Sequence, residues 1–167
     1  MLFFLDFDRT LFNTEAFYNA LEADFILGTQ NVTLSDLSPF LYDDVSGFLA
    51  AWKKAGHELV VVTRGVEEVQ KAKLENTRLI SRITEALYVT EGGKSEAIRR
   101  YLAQHSENTP AVFADDSLNE LADVRDNVPG VQVVRMRRPT AKNAGEEAPE
   151  FIAVQNLFEL EKVALKT

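Results

Sequence analysis

Residues 3–12 read FFLDFDRTLF, and this stretch decides how the rest of the chain is read. Strands disfavour aspartate, yet Asp6 and Asp8 interrupt an apolar, aromatic run and are followed at once by Arg9 and Thr10. A buried carboxylate without a partner is costly, so acids at the end of such a run call for a cation or a chemical task.

Four more apolar, β-branched or aromatic runs follow: HELVVVT (57–63), EALYVT (85–90), PAVFADD (110–116) and VQVVRM (131–136). Their hydrophobicity is continuous rather than alternating, the pattern of strands covered on both faces in a parallel sheet. Between them lie helical patterns. In DDVSGFLAAWKKAG (43–56), Val45, Phe48, Leu49 and Trp52 recur at i, i+3, i+4 and i+7, and Gly56 stands where a helix ends. GGKSEAIRRYLAQH (92–105) puts Ile98, Tyr101 and Leu102 on one side, and Ser117 with Glu120 has capping-box spacing ahead of Leu121 and Val124. The alternation predicts an α/β, doubly wound, Rossmann-like three-layer sandwich with a mainly parallel sheet.

The chain has 167 residues, 46% of them hydrophobic, and no cysteine, which suits one domain over 1–167 with a single large core and no disulfides. Its formal charge of -8 argues against binding a nucleic-acid polymer. MLFFLDFD reaches a carboxylate by its sixth residue and no apolar run nears the ~20 residues of a membrane span, so a cytoplasmic protein with no membrane partner is expected. Two segments break the alternation. Residues 13–42, holding TEAFYNALEADFI and then GTQNVTLSDLSPF, read as a small helical, cap-like insertion over one edge of the sheet. Residues 137–150, beginning RRPTAKNAGEEAP, read as a mobile loop before a final helix, NLFELEKVALK.

In an open parallel sheet, ligands bind beyond the carboxyl ends of the strands. That rim would gather Asp6 and Asp8, Thr63 and Arg64, Asp115 and Asp116, with Lys94 near the start of a helix. Singly, Thr63 and Asp116 are ordinary helix caps and Lys94 an ordinary solvated lysine. Together, three carboxylates at one rim repel unless a cation joins them, and hard oxygen donors suit Mg2+. A magnesium ion with a lysine and a hydroxyl can receive a phosphoryl group, one carboxylate can attack it, and a second can serve as acid and then base.

These residues resemble the haloacid dehalogenase superfamily of aspartate-nucleophile phosphatases. DFDRT (6–10) matches its first motif, VVVTRG (60–65) its second, Lys94 in EGGKSEA its third and FADDS (113–117) its fourth, a likeness running from Leu2 to about Met136. The resemblance implies that Asp6 attacks phosphorus and binds magnesium, while Asp8 protonates the leaving oxygen, activates water and lends its main-chain carbonyl to the metal. It further implies that Thr63 and Lys94 hold the phosphoryl group, Thr10 orients Asp8, and Asp115 and Asp116 serve the metal, with the direct ligand of that pair left open. Arg9 stands where the family usually has glycine; it and Arg64 either contact substrate or form surface ion pairs. Asn119 stands where many members carry an acid.

A P-loop reading of GGKS fails because the required earlier glycine is Tyr88. A receiver domain carries its acidic pair first in the chain rather than last. His57 and His105 lack metal-ligand spacing. The implied activity is Mg2+-dependent hydrolysis of a small phosphorylated metabolite, a nucleotide or a sugar phosphate, through a phosphoaspartate. A phosphomutase and a non-catalytic phosphate-binding module are the alternatives. The insertion is small enough to leave the site open, and its aromatics, Phe12, Phe17, Tyr18, Phe25, Phe40 and Tyr42, suit core packing, base stacking or a homo-oligomer contact.

Overall fold

The structure, a computed structural model, describes residues 1–105 and 109–164. Its elements in chain order are β1 (Leu2–Leu5), α1 (Thr14–Leu27), α2 (Val45–Lys54), β2 (Glu58–Arg64), α3 (Glu67–Asn76), β3 (Glu85–Val89), α4 (Lys94–Gln104), β4 (Ala111–Asp115), α5 (Leu118–Asn127), β5 (Val131–Met136), β6 (Ile152–Val154) and α6 (Leu157–Ala164), with a short 3-10 turn over Ser38–Phe40. The sheet order is β3-β2-β1-β4-β5-β6, and every neighbouring pair is parallel. The direction of winding reverses between β1 and β4, which places the crevice of the sheet at the carboxyl ends of those two strands.

Continuous apolar runs bury both faces. Phe3, Leu5, Leu59, Val61 and Val112 point into a core closed by Trp52 of α2, Leu74 of α3 and Leu160 of α6. Their neighbours Leu2, Phe4, Val60, Val62 and Phe113 point the other way, against Ile98 and Tyr101 of α4 and Leu121 and Val124 of α5. On the first face Phe3 stacks on Trp52 with ring centres 4.1 Å apart, and Phe48 meets the same indole edge-on at 4.5 Å. Gly56 follows α2 with φ +80°, the left-handed conformation that ends a helix without a Cβ penalty.

One feature departs from expectation, and the insertion and the later loop gain defined contacts. A sixth strand, β6, extends the sheet beyond β5; only three residues long and exposed at Ile152 and Ala153, it leaves no periodic signal. The insertion follows β1, an interior strand, and is bonded to the end of α3 and the turn after it: Leu37 N–H donates to the Asn76 carbonyl at 2.8 Å and Arg78 pairs with Asp36. Residues 137–150 are tied down. Arg135 donates to the carbonyls of Asn143 and Glu146 at 3.1 and 2.8 Å, Arg137 to that of Ala144, and Ala141 and Ala148 are buried. Among the described residues no helix is long and apolar enough to cross a membrane.

Candidate active site

The site begins where β1 ends. Asp6 N–H still bonds the Ala114 carbonyl at 2.9 Å, continuing the β1–β4 ladder and setting Asp6 beside Asp115 at the end of β4. The chain then turns sharply: the Phe7 carbonyl accepts from the N–H groups of Leu11 and Phe12, both at 2.9 Å, and Arg9 takes φ +60°. Left-handed backbone costs a side-chain-bearing residue about 1 kcal/mol, which explains the expectation of glycine here.

Asp6, Asp115 and Asp116 are all buried, and a carboxylate oxygen of each lies within 4.8 Å of the others. Lys94, buried at the start of α4, bridges two of them: its ammonium donates to Asp6 Oδ1 and, at 2.7 Å, to Asp115 Oδ2. One ammonium among three carboxylates leaves the cluster short of positive charge. Burial lifts the Asp6 carboxyl to about 7 against the pull of Lys94, with Asp115 adding to the rise. Burial likewise lifts Asp115 to about 6 despite Lys94, and lifts Asp116 to about 6 with Asp6 contributing. Burial also works against the charge of Lys94, but Asp115 and Asp6 outweigh it and hold that ammonium above the ordinary lysine value. Asp6 Oδ2 is buried and accepts from no donor. Three clustered hard-oxygen donors, one of them unpartnered, fit a divalent cation such as magnesium.

Helix α5 fixes the start of α4. Glu120, buried, accepts from Lys94 N–H at 2.9 Å through one oxygen and from Arg64 at 2.7 Å through the other. Asp123 accepts from Ser95 N–H at 2.8 Å and Ser95 Oγ at 2.9 Å. Ser117 Oγ does cap α5 at Glu120 N–H, but the reciprocal half of the capping box is absent because the Glu120 carboxylate is spent on α4. Thr63 closes β2, buried, at the same rim; Arg64 is half exposed and paired with Glu120.

Asp8 faces away from the three clustered acids. Its Oδ1 accepts from Thr14 Oγ1 at 2.8 Å and from the Lys73 ammonium, and its Oδ2 accepts from Gln70 Nε2 at 3.2 Å. The side chain thus meets three donors, carried by α1 and α3. Thr10 does not orient it. The Thr10 hydroxyl is buried without a partner, its carbonyl accepts from Arg138 at 2.9 Å, and Thr14 takes the orienting role. Arg9 pairs with Glu15 at 2.6 Å, Asn119 is exposed, and His57 and His105 lie against Phe3 and Tyr101.

No family model matches the chain, and no curated protein matches it. Solved structures do. A haloacid dehalogenase-like hydrolase from Burkholderia xenovorans superposes with a TM-score of 0.76 at 16% identity, covering 98% of this chain and 97% of that one. The L-2-haloacid dehalogenase of Xanthobacter autotrophicus with chloropropionic acid covalently bound gives 0.68 at 14%, covering 98% of each. The HAD-hydrolase YfnB of Bacillus subtilis, bound to magnesium, gives 0.64 at 14%, covering 98% and 97%. The fold is that of the haloacid dehalogenase-like hydrolases.

Within this fold, three contributors lay outside the sequence reading. Lys73 and Gln70 sit one turn apart on α3, and nothing local in the sequence tied them to Asp8. Asn143, within the segment read as a loose loop, donates to both the Asp116 carbonyl at 3.1 Å and Asp116 Oδ2 at 2.8 Å. Such partners join across more than sixty and more than twenty positions of chain, a distance no short motif spans.

Proposed function

We propose that the chain is a magnesium-dependent phosphomonoester hydrolase with Asp6 as nucleophile. The observation that carries this reading is the convergence of Asp6, Asp115 and Asp116 with Lys94, leaving Asp6 Oδ2 buried and unpartnered. Magnesium, when bound by Asp6, Asp115 and Asp116 with the Asp8 carbonyl, would neutralise phosphoryl charge.

The protein's own groups then divide the work. An Asp6 oxygen attacks phosphorus; the ester P–O bond breaks and its electron pair leaves with the alcohol oxygen. Lys94 holds Asp6 in line and offsets the charge gathered there. Thr63, at the same rim, donates to a phosphoryl oxygen. The leaving oxygen takes a proton from the Asp8–Lys73 pair, which faces the cleft where that oxygen departs. Asp8 then accepts a proton from the water that attacks the phosphoaspartate and returns Asp6 as a free carboxylate.

A dehalogenase with the same fold holds chloropropionic acid covalently. Two features favour phosphate chemistry over dehalogenation: an acid at position 8, for which carbon–halogen cleavage has no use, and the acidic cluster suited to a metal. Phosphate release from phenyl phosphate, with magnesium and after chelation, tests the proposal beside chloride release from 2-chloropropionate. Magnesium-dependent phosphate release, lost in Asp6→Asn, supports it; chloride release indifferent to chelation overturns it.

A further inference from the structure

Strand β5 ends in RMRRP (135–139), with three arginines in four positions. Arg135 is the deepest of them, 2% exposed, and stands in register with Asp115 on the neighbouring strand. Arginine is almost never so buried without a carboxylate partner of equal depth. Here the nearest carboxylate, that of Glu146, is 57% exposed and 3.5 Å away. The shorter bonds go to main-chain carbonyls instead, Glu146 at 2.8 Å and Asn143 at 3.1 Å, while Nε has no acceptor. Arg137 repeats the pattern on the Ala144 carbonyl. For stability alone, an apolar side chain of similar volume would serve as well or better at such a position.

What these arginines hold is the stretch that carries Asn143. The Asn143 amide donates to the Asp116 carbonyl and to Asp116 Oδ2, and among the described residues the second of these is the only hydrogen bond to the Asp116 side chain. The other two acids of the cluster are fixed by regular elements: Asp6 by Lys94 at the start of α4, and Asp115 by Lys94 and by Ser117 N–H at the start of α5. Asp116 alone depends on a segment with neither helix nor strand. It also lies among like charges that repel it, so a tether must keep it turned toward Asp6 and Asp115. Bonding the carbonyl of the same residue whose amide grips Asp116 leaves that amide little freedom to turn away.

Resting on the magnesium reading above, we infer that Arg135, seconded by Arg137, is a positioning residue of the metal centre, acting through the Asn143 amide on Asp116. It touches neither ion nor substrate. By bracing the carbonyls of residues 143, 144 and 146 it holds the third acid of the cluster in place for the cation.

Calorimetric Mg2+ binding, measured well below every melting temperature, tests this on the wild type, Arg135→Lys, Arg137→Met, Asn143→Ala and the two double variants that add Asn143→Ala. Arg135→Lys keeps the charge but loses the planar fork that reaches two carbonyls at once. Its Mg2+ affinity is expected to fall about tenfold, within the range for a lost metal-supporting bond. Arg137→Met, at a side chain 34% exposed, should fall less and in the same direction. The coupling is decisive: each double variant should bind Mg2+ no more weakly than Asn143→Ala alone, since both changes act through one bond. A part in folding only would lower the melting temperature of Arg135→Lys and leave Mg2+ affinity unchanged, or add to the effect of Asn143→Ala. Either result overturns the inference and leaves the magnesium reading standing. Should Arg135→Lys fail to fold, Arg137→Met decides alone: unchanged or additive Mg2+ affinity overturns the inference. A wild-type protein that binds no Mg2+ overturns the magnesium reading itself, and the inference with it.

Discussion

At the scale of single residues, Lys94 carries the greatest consequence. Replacing it with methionine removes the common partner of two buried carboxylates, and stranding a buried charge in this way costs about 3–5 kcal/mol. Lys94→Met is therefore expected to melt many degrees lower at pH 8 than the wild type, with less loss at pH 5, where the raised carboxyls can take protons. Equal losses at both pH values would contradict the charge argument. Arg9 offers the opposite sign. Arg9→Gly relieves a left-handed backbone at about 1 kcal/mol and gives up a partly exposed ion pair that contributes at most about that much. Thermal melts should find Arg9→Gly neutral to slightly stabilised; a drop of several degrees would mean that Glu15 depends on Arg9 more than exposure suggests.

At the scale of elements, the start of α4 and the segment after β5 are the two supports of the acidic cluster. A Cβ at Gly93 would stand 2.2 Å from Asp123 Oδ2, so Gly93→Ala must push Asp123 off Ser95 and shift the turn that carries Lys94. Both melting temperature and turnover are expected to fall, whereas Ser95→Ala, which keeps the N–H bond to Asp123, should cost much less. Asn143→Ala frees Asp116 without touching the core. Loss of such a supporting hydrogen bond weakens metal binding by about 10–100-fold, so calorimetric Mg2+ affinity should fall while the metal-free melting temperature moves little. The elements themselves were largely legible, because period and length announce buried strands and sheet-covering helices: Phe3 and Phe4, Val60 to Val62 and Trp52 lie where their pattern puts them. Asp6, Lys94 and Asp115 converge because each stands at a strand or helix terminus that topology brings to one rim. What could not be read were contacts made by mid-element or loop side chains. The sequence reading gives Asp8 to Thr10, whereas the turn at Arg9 leaves the Thr10 hydroxyl buried and unpartnered and brings Thr14 to Asp8, and β6 is too short to announce itself.

For the molecule as a whole, the acidic cluster makes stability depend on pH in an unusual direction. Asp6, Asp115 and Asp116 have folded values of about 6 to 7 against an ordinary 3.8, so between those limits the folded state holds more protons than the unfolded one. Their contribution is present below the ordinary carboxylate range and is lost as pH rises through 6 to 7. The carboxylates held below 3.8, Asp24 and Asp36 through bonds to Thr29 and Ser38, have already given theirs by pH 5. His57, lowered by burial, works the other way only below its ordinary 6.5. Chelated protein should thus melt at a lower temperature at pH 8 than at pH 6, and millimolar magnesium should restore most of the loss by replacing the missing protons. A chelated protein that grows more stable from pH 6 to pH 8 would count against the three acids sharing one ammonium.

The grip of α5 on α4 has a mechanical corollary. Glu120 and Asp123 clamp the turn bearing Lys94, whereas the helix opposite, α1, exposes Phe25, Ile26 and Leu27 at its far end. With both carboxylates braced on the neighbouring helix, the lysine is held from behind, so the charge-handling floor keeps its alignment whatever rests above it.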